Sequence, residues 1–184
     1  MNYEIRIERD IDPINPRTQF DNLGTMLCWH KQYHLGDEGH PYQETTKNCD
    51  SWDEVGEVIH EHEDICVLLP LYLYDHSGIT ISTRPFSCQW DSGQIGFIYV
   101  TKERVRSSYG VKRISGALRT IVEACLKAEV EEYDKYLRGD VWGYEIVNED
   151  DEVVDSCWGF YDEAYCRKTA GEAFDWLKQN EEAA

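Results

Sequence analysis

The chain is 184 residues long, the length of one domain, and carries 36 acidic against 18 basic side chains for a net charge of −18. Its six Trp and twelve Tyr exclude a disordered chain, because such chains lack large apolar side chains. The longest apolar run, residues 65–74, is about half as long as a membrane span and contains Pro70, so no membrane-spanning helix is expected.

The first third of the chain is predicted to form two strands and a helix. Apolar and charged residues alternate over residues 3–7, which predicts a half-buried strand. The Asp-Pro and Asn-Pro pairs in residues 10–22 predict a loop, and residues 24–30 predict a second strand. Ser51 and Glu54 have the spacing of a capping box, in which a hydroxyl and a carboxylate bind free backbone amides. A helix is therefore expected to begin after Ser51.

A hairpin and another strand are expected in the middle of the chain. The apolar residues 65–74 predict a central strand that bends at Pro70. Residues 75–78 have the composition of a turn, and residues 79–83 predict the returning strand. Residues 95–100 predict a further strand.

Two helices are expected to follow. Thr101 is placed to cap a short helix that ends near Gly110, and residues 114–137 predict a long helix that stops at Gly139. Residues at helical spacing are expected to face the core from this long helix: Leu118, Ile121, Val122, Cys125, Tyr133 and Tyr136.

The last part of the chain is predicted to be a hairpin and a helix. Residues 141–147 and 153–158 flank an acidic tip, and residues 162–178 predict the final helix. One face of that helix is expected to be apolar: Cys166, Ala170, Ala173, Phe174 and Leu177. The order of elements predicts an α+β fold, with a largely antiparallel sheet and three to four helices packed on it, in a single domain over residues 1–184.

The cysteines and the N-terminal residues indicate a compartment. Seven Cys is an odd number and no Cys-x-x-Cys occurs, so neither a complete disulfide framework nor a zinc ribbon is expected. Met1 is followed by alternating polar and apolar residues, so no secretory signal is expected. These features predict a cytoplasmic protein with reduced thiols.

The acidic residues predict a basic partner. A strong net negative charge repels nucleic acid phosphates, so we expect contact with a basic protein surface, such as that of a protein that normally holds DNA or RNA. A solvated surface that only keeps the protein soluble is the alternative. The residues predicted to contact the partner lie in acidic segments: Asp37, Glu38, Asp53, Glu54, Glu57, Glu61, Glu129, Glu131, Glu132, Glu149, Asp150, Asp151 and Glu152.

One segment reverses the charge. Residues 101–128 hold seven bases against Glu103 and Glu123, and the bases are Lys102, Arg104, Arg106, Lys112, Arg113, Arg119 and Lys127. If the protein contacts nucleic acid directly, residues 102–127 are the only segment whose charge suits that contact, and their signal for nucleic-acid binding is weak. The alternative is that these bases are internal salt-bridge partners of the acidic residues.

A candidate metal site follows the second predicted strand. Cys28 and His30 are two residues apart on a strand, so their side chains share a face, and His34 and His40 lie in the loop that follows. Thiolate and imidazole suit Zn²⁺ or another divalent metal ion. The spacing matches no standard zinc motif, and a buried Cys beside surface His residues is the alternative. No cofactor other than such an ion is expected.

A second candidate polar site lies in two turns. Asp75 and His76 follow one predicted strand and Asp91 precedes another, each near a Gly. Loops at strand ends are where catalytic residues usually lie, and Cys88 and His76 would suit a thiol–imidazole pair. Residues 91–93 also match the Asp-Ser-Gly of aspartic proteases, but no second copy exists. The alternative is two turns whose carboxylates bind local amides.

Several motifs resemble a known group of proteins. The segments are residues 28–30 (CWH), 69–83 (LPLYLYDHSGITIST), 88–100 (CQWDSGQIGFIYV) and 155–161 (DSCWGFY). They resemble a family of small acidic proteins carried by phages and mobile elements of bacteria. The resemblance implies a bacterial host cytoplasm and, by analogy with its genetic setting, an anti-defence role of the anti-CRISPR or antirestriction kind. It implies no catalytic residue.

Three functional hypotheses follow from these observations. The leading one is a non-enzymatic inhibitor that binds a host defence nuclease through its acidic surfaces. The second is a metal-binding protein or metal-dependent hydrolase. Its polar residues would be Cys28, His30 and His34, or Asp75, His76 and Asp91. The third is an interaction module whose aromatic residues allow a homodimer.

Overall fold

A computed structural model of the chain describes residues 2–39, 41–88 and 90–181. Within those residues it contains five helices and two antiparallel sheets, so the predicted α+β class is confirmed. In chain order the elements are β1 (Glu4–Arg9), α1 (Pro16–Gln19), β2 (Thr25–Cys28), α2 (Trp52–His62), β3 (Ile65–Asp75), β4 (Ile79–Ser82), β5 (Ser92–Thr101), α3 (Lys102–Tyr109), α4 (Gly116–Leu137), β6 (Trp142–Val147), β7 (Val153–Phe160) and α5 (Glu163–Glu181).

The chain divides into two compact units. The terminal unit comprises residues 1–15 and 135–184, and the central unit comprises residues 16–134. The expectation of a single domain stays a prediction. Among the described residues, no helix has both the length and the apolar character that crossing a membrane requires.

The terminal unit is a three-stranded sheet covered by one helix. Its strand order is β1-β6-β7, and both pairs are antiparallel. Tyr144 and Ile146 of β6 pack against the apolar face of α5, which consists of the five residues expected from the sequence. Gly139, at φ +64°, ends α4 before this sheet, because its left-handed backbone lets the amide of Asp140 bond the carbonyl of Lys135.

The central unit is a four-stranded antiparallel sheet with the order β2-β5-β3-β4. β5 lies between β2 and β3 and is buried along most of its length. The capping box at Ser51 is confirmed in part, because the Ser51 hydroxyl accepts a hydrogen bond from the Glu54 amide, whereas the Glu54 carboxylate accepts from the amide of Asp50. Val55 and Ile59 then bury one face of α2 in a core cluster that includes Phe97 of β5.

Three details differ from the sequence prediction. The predicted single sheet is two sheets, and the loop expected at residues 10–22 contains the short helix α1. The buried face of α4 is also rotated from the one expected, since Ile121 is exposed. Val122 and Tyr133 are buried as expected, but the other buried residues of this helix are Leu126 and Val130, which were not predicted.

Candidate functional site

The outer face of α2 carries a row of carboxylates, here called the acidic row: Asp53, Glu57 and Glu61. All three side chains are exposed. Within the described residues, none has an ion-pair or hydrogen-bond partner for its carboxylate. Their four-residue spacing places them on one helix face, about 6 Å apart along the axis. The acidic row therefore presents three uncompensated charges in a line.

The acidic row is not explained by the stability of the helix. Like charges four residues apart on a helix cost about 0.2–0.5 kcal/mol per pair, and the row contains two such pairs. Asp53 lies in the first turn, where the positive end of the helix favours a carboxylate, and Glu61 lies in the last turn, where the negative end opposes one. These two effects offset each other, so the repulsion between the charges remains as a net cost. Glu54 differs, because its carboxylate supports the N-terminal cap.

Two of the predicted contact residues are instead held inside the central unit. Arg17 donates from Nε to Asp37 at 2.7 Å and from a terminal nitrogen to Glu129 at 3.0 Å. The same guanidinium binds the carbonyl of Gly24 at 2.8 Å. The Arg17 side chain is only 1% exposed and that of Glu129 is 10% exposed. Asp37 and Glu129 are therefore neutralised by a buried cation.

Backbone amides complete this ionic cluster of Arg17, Asp37 and Glu129. Asp37 accepts from the amide of Met26 at 2.9 Å, and Glu129 accepts from that of Leu23 at 2.7 Å. Burial lowers the pKa of Arg17, but hydrogen bonds and charges of both carboxylates outweigh this effect, so its pKa is raised. Arg17 was not predictable as a functional residue, because nothing in the Pro-Arg-Thr segment marks a buried cation.

The acidic tip of the β6–β7 hairpin is also largely bound within its own unit. Asp151 accepts from Arg6 at 2.5 Å, and Glu149 accepts from the amide of Asn2 at 2.8 Å. Glu152 accepts from the side chain of Asn148 at 3.1 Å. These three carboxylates are used to close the hairpin and to anchor β1.

The remaining predicted acidic residues are dispersed. Glu38, Glu131 and Asp150 are exposed, and within the described residues their carboxylates have no partner. Glu132 takes part in an interaction. The acidic row is therefore the longest set of aligned, uncompensated carboxylates among the predicted residues.

The candidate metal ligands are not assembled among the described residues. No group of three His, Cys, Asp or Glu side chains in that part of the chain is arranged to hold a metal ion. His30 uses Nδ1 to accept from the amides of Gln32 and Tyr33, and His34 is exposed. His40 lies outside the described residues. Burial, together with the charge of the nearby Asp37 carboxylate, raises the pKa of the Cys28 thiol to about 12, so Cys28 is protonated at neutral pH.

We expect Cys28 to react slowly with iodoacetamide in the folded protein. At pH 8 a pKa of about 12 leaves about a thousandfold less thiolate than the ordinary value of 9.0, and only the thiolate reacts. Mass spectrometry of the labelled peptides at pH 8 to 11 measures the rate, with the exposed Cys157 as the reference. The rate should rise with pH. Fast labelling of Cys28 at pH 8 would contradict a half-buried thiol that is protonated at this pH.

The two predicted polar turns do meet in space. Because β3 and β5 are paired, Asp75 donates its amide to the carbonyl of Asp91 at 2.8 Å. His76 Nδ1 lies 3.4 Å from Asp91 Oδ2, and the Cys88 thiol lies 3.7 Å from the same oxygen. Tyr33, which the sequence analysis did not single out, donates to Asp75 at 3.1 Å.

This polar cluster does not have the arrangement of a nucleophilic site. The Asp91 carboxylate contacts both His76 and Cys88, whereas a thiol–imidazole nucleophile requires the base to contact the sulfur directly. Asp75, His76 and Asp91 are exposed, so water surrounds them. The contacts are those of two turns held side by side at the end of the sheet.

The basic segment divides into paired and unpaired residues. Lys102 binds Asp64 at 2.5 Å, Arg104 binds Asp21 at 2.8 Å and Lys127 binds Glu123 at 2.6 Å. Within the described residues, the other four bases have no carboxylate partner: Arg106, Lys112, Arg113 and Arg119. The internal salt-bridge interpretation therefore accounts for three of the seven bases.

Comparisons with protein-family models, with curated proteins and with solved structures find no match for this chain.

Proposed function

We propose that the protein is a non-enzymatic inhibitor that binds a basic, nucleic-acid-binding surface of a host defence nuclease. The observation that carries this proposal is the acidic row on α2, whose charges are exposed, aligned and, within the described residues, unpaired, although their mutual repulsion lowers helix stability. A charged surface kept at a cost to stability is explained by a partner of opposite charge.

The chemistry of the acidic row suits a groove that normally holds a phosphate backbone. Carboxylates repeated along a rigid helix offer a basic groove a line of negative charges, and α2 is fixed to the sheet by its buried face. Complementary charge mainly raises the association rate and the specificity. The resemblance to phage and mobile-element proteins provides the biological setting, in which a defence nuclease is the partner.

The test is a nuclease-inhibition assay with purified restriction and Cas nucleases. We expect the protein to inhibit cleavage of DNA by one of them. Inhibition should weaken at least about tenfold between about 0.05 M and about 0.5 M NaCl, because salt screens surface charges. The proposal would be contradicted if the protein inhibited none of the nucleases in the panel, or if salt did not change the inhibition.

The acidic row is tested with matched charge variants. The variant Asp53→Asn/Glu57→Gln/Glu61→Gln should lose inhibition while its unfolding free energy rises by about 0.4–1 kcal/mol, because the repulsion of two like-charge pairs is removed. The control Glu8→Gln/Asp12→Asn/Asp175→Asn removes the same number of exposed charges from the terminal unit and should inhibit normally. Equal loss in both variants would show that net charge, and not the acidic row, is responsible.

A further inference from the structure

A cavity in the central unit is lined by five basic side chains. Its volume is about 490 Å³. The bases come from α3, from the connection after it and from the first turn of α4: Lys102, Arg106, Lys112, Arg113 and Arg119. Lys102 is paired with Asp64. The other four are exposed and, in the part of the chain that the structure describes, face no carboxylate within ion-pair distance.

Such a set of unpaired bases is unexpected in this protein. Acidic side chains outnumber basic ones two to one, and the neighbouring Arg104 and Lys127 both find a carboxylate. Cations that share a cavity repel one another, so they lower the stability of the folded state until an anion neutralises them. A bound anion is therefore expected to stabilise the folded protein.

The backbone around the cavity is fixed by local hydrogen bonds. Gly110, at φ +63°, caps α3, and the amides of Gly110 and Val111 both bond the carbonyl of Arg106. The Ser115 hydroxyl accepts from the Leu118 amide at 3.2 Å and begins α4. The positive end of this 22-residue helix adds to the field of the side chains.

The size and lining of the cavity define the class of ligand. Its volume lies in the usual range for small-molecule sites, about 300–1,000 Å³. Guanidinium groups bind phosphate oxygens in pairs, and three of the five bases are arginines. The lining contains no aromatic side chain on which a nucleobase could stack. The net charge of −18 repels a long nucleic acid strand, whereas a compact anion mainly meets the local positive field.

From these observations we propose that the cavity binds a small ligand with two or more linked phosphate groups, such as pyrophosphate or a nucleoside diphosphate. Four uncompensated cations match the charge of a linked diphosphate better than that of a single phosphate. The cavity shares no residue with the acidic row, so the two proposals succeed or fail separately.

Isothermal titration calorimetry of the full chain tests this site. Pyrophosphate and adenosine diphosphate are titrated at constant ionic strength, with orthophosphate and adenosine as comparison ligands. We expect one saturable site for both diphosphates, weaker binding of orthophosphate and none of adenosine. Equal affinity for pyrophosphate and adenosine diphosphate would show that the protein recognises the phosphates and not the nucleobase. The proposal would be overturned if neither pyrophosphate nor adenosine diphosphate bound saturably at millimolar concentration.

Variants locate the binding to the cavity. Arg106→Gln/Arg119→Gln should weaken pyrophosphate binding about tenfold or more, since charged hydrogen bonds are lost. The variant Lys112→Gln/Arg113→Gln changes two bases in the connection between α3 and α4. It should also weaken pyrophosphate binding, and it provides a second test if Arg106→Gln/Arg119→Gln does not fold. The control Arg84→Gln removes an exposed cation outside the cavity and should bind normally. Unchanged binding by both double variants, or tighter binding of single-stranded DNA than of pyrophosphate, would contradict the proposed site.

Discussion

Replacing Arg17 with Met is expected to lower the unfolding free energy of the central unit by about 3–5 kcal/mol. The guanidinium joins the carboxylates of Asp37 and Glu129 to the carbonyl of Gly24. Met fills a similar volume but leaves both carboxylates without a cation, and removing one partner of a buried ion pair strands the other charge. Urea denaturation followed by Trp fluorescence measures the loss.

Two comparisons make the Arg17 prediction specific. Arg104→Met also removes an arginine that pairs with a carboxylate, but that pair is exposed, so a loss of only about 0–1 kcal/mol is expected. Arg17→Lys should recover only part of the stability. A Lys ammonium group lacks the planar set of N–H donors with which the guanidinium binds Asp37, Glu129 and Gly24 at the same time. A loss in Arg17→Met as small as that in Arg104→Met would show that the cluster contributes little.

Replacing Gly96 with Ala is expected to destabilise the central unit by about 3 kcal/mol or more. Gly96 lies in β5 opposite Cys28 of β2, and an added Cβ would lie 1.9 Å from the carbonyl oxygen of Leu27. That oxygen belongs to the backbone of β2, so the clash can be relieved only by separating the two strands. Thermal and urea unfolding would measure the effect.

Gly93→Ala is the matched control in the same strand. An added Cβ at Gly93 meets nothing within 4 Å in the described structure, so a change within about 1 kcal/mol is expected. Gly143→Ala gives an intermediate case, since its Cβ would meet the ring of Trp158, a partly exposed side chain that is able to rotate away. Equal losses at Gly96 and Gly93 would indicate a general preference for Gly in β5 instead of a backbone clash.

The order of the elements was predictable because short-range signals mark their ends. Ser51 and Thr101 accept hydrogen bonds from the first turns of α2 and α3, and Gly110 and Gly139 adopt the left-handed backbone that ends α3 and α4. These interactions span only a few residues. A single sequence therefore contains enough information to place them.

The long-range features were not predictable in the same way. The full buried face of α4 was not predictable, because adjacent rows of residues repeat with the same period along a helix. Only the elements that pack against the helix determine which row is buried. The division into two sheets depends on the pairing of β1 with β6, which no local pattern specifies.

The candidate site shows the same limit. Composition identified the acidic segments, but the partners of individual carboxylates depend on the fold. Asp37 and Glu129 are neutralised by Arg17, whereas Glu57 has no partner in the described part of the chain. In the sequence the three residues are equivalent members of acidic segments. Asp75 meets Asp91 because β3 pairs with β5, and the sequence alone does not specify that pairing.

The pairing of β1 with β6 has a consequence for how the chain folds during synthesis. Residues 16–134 are complete before β6 leaves the ribosome, so the central unit has all of its strands while the terminal unit has one. β1 must then wait, with both edges unpaired, until the C-terminal third is made, and closing so long a loop slows its pairing. Charged residues alternate with Ile5 and Ile7 in this strand, a pattern that disfavours edge-to-edge association of unpaired strands.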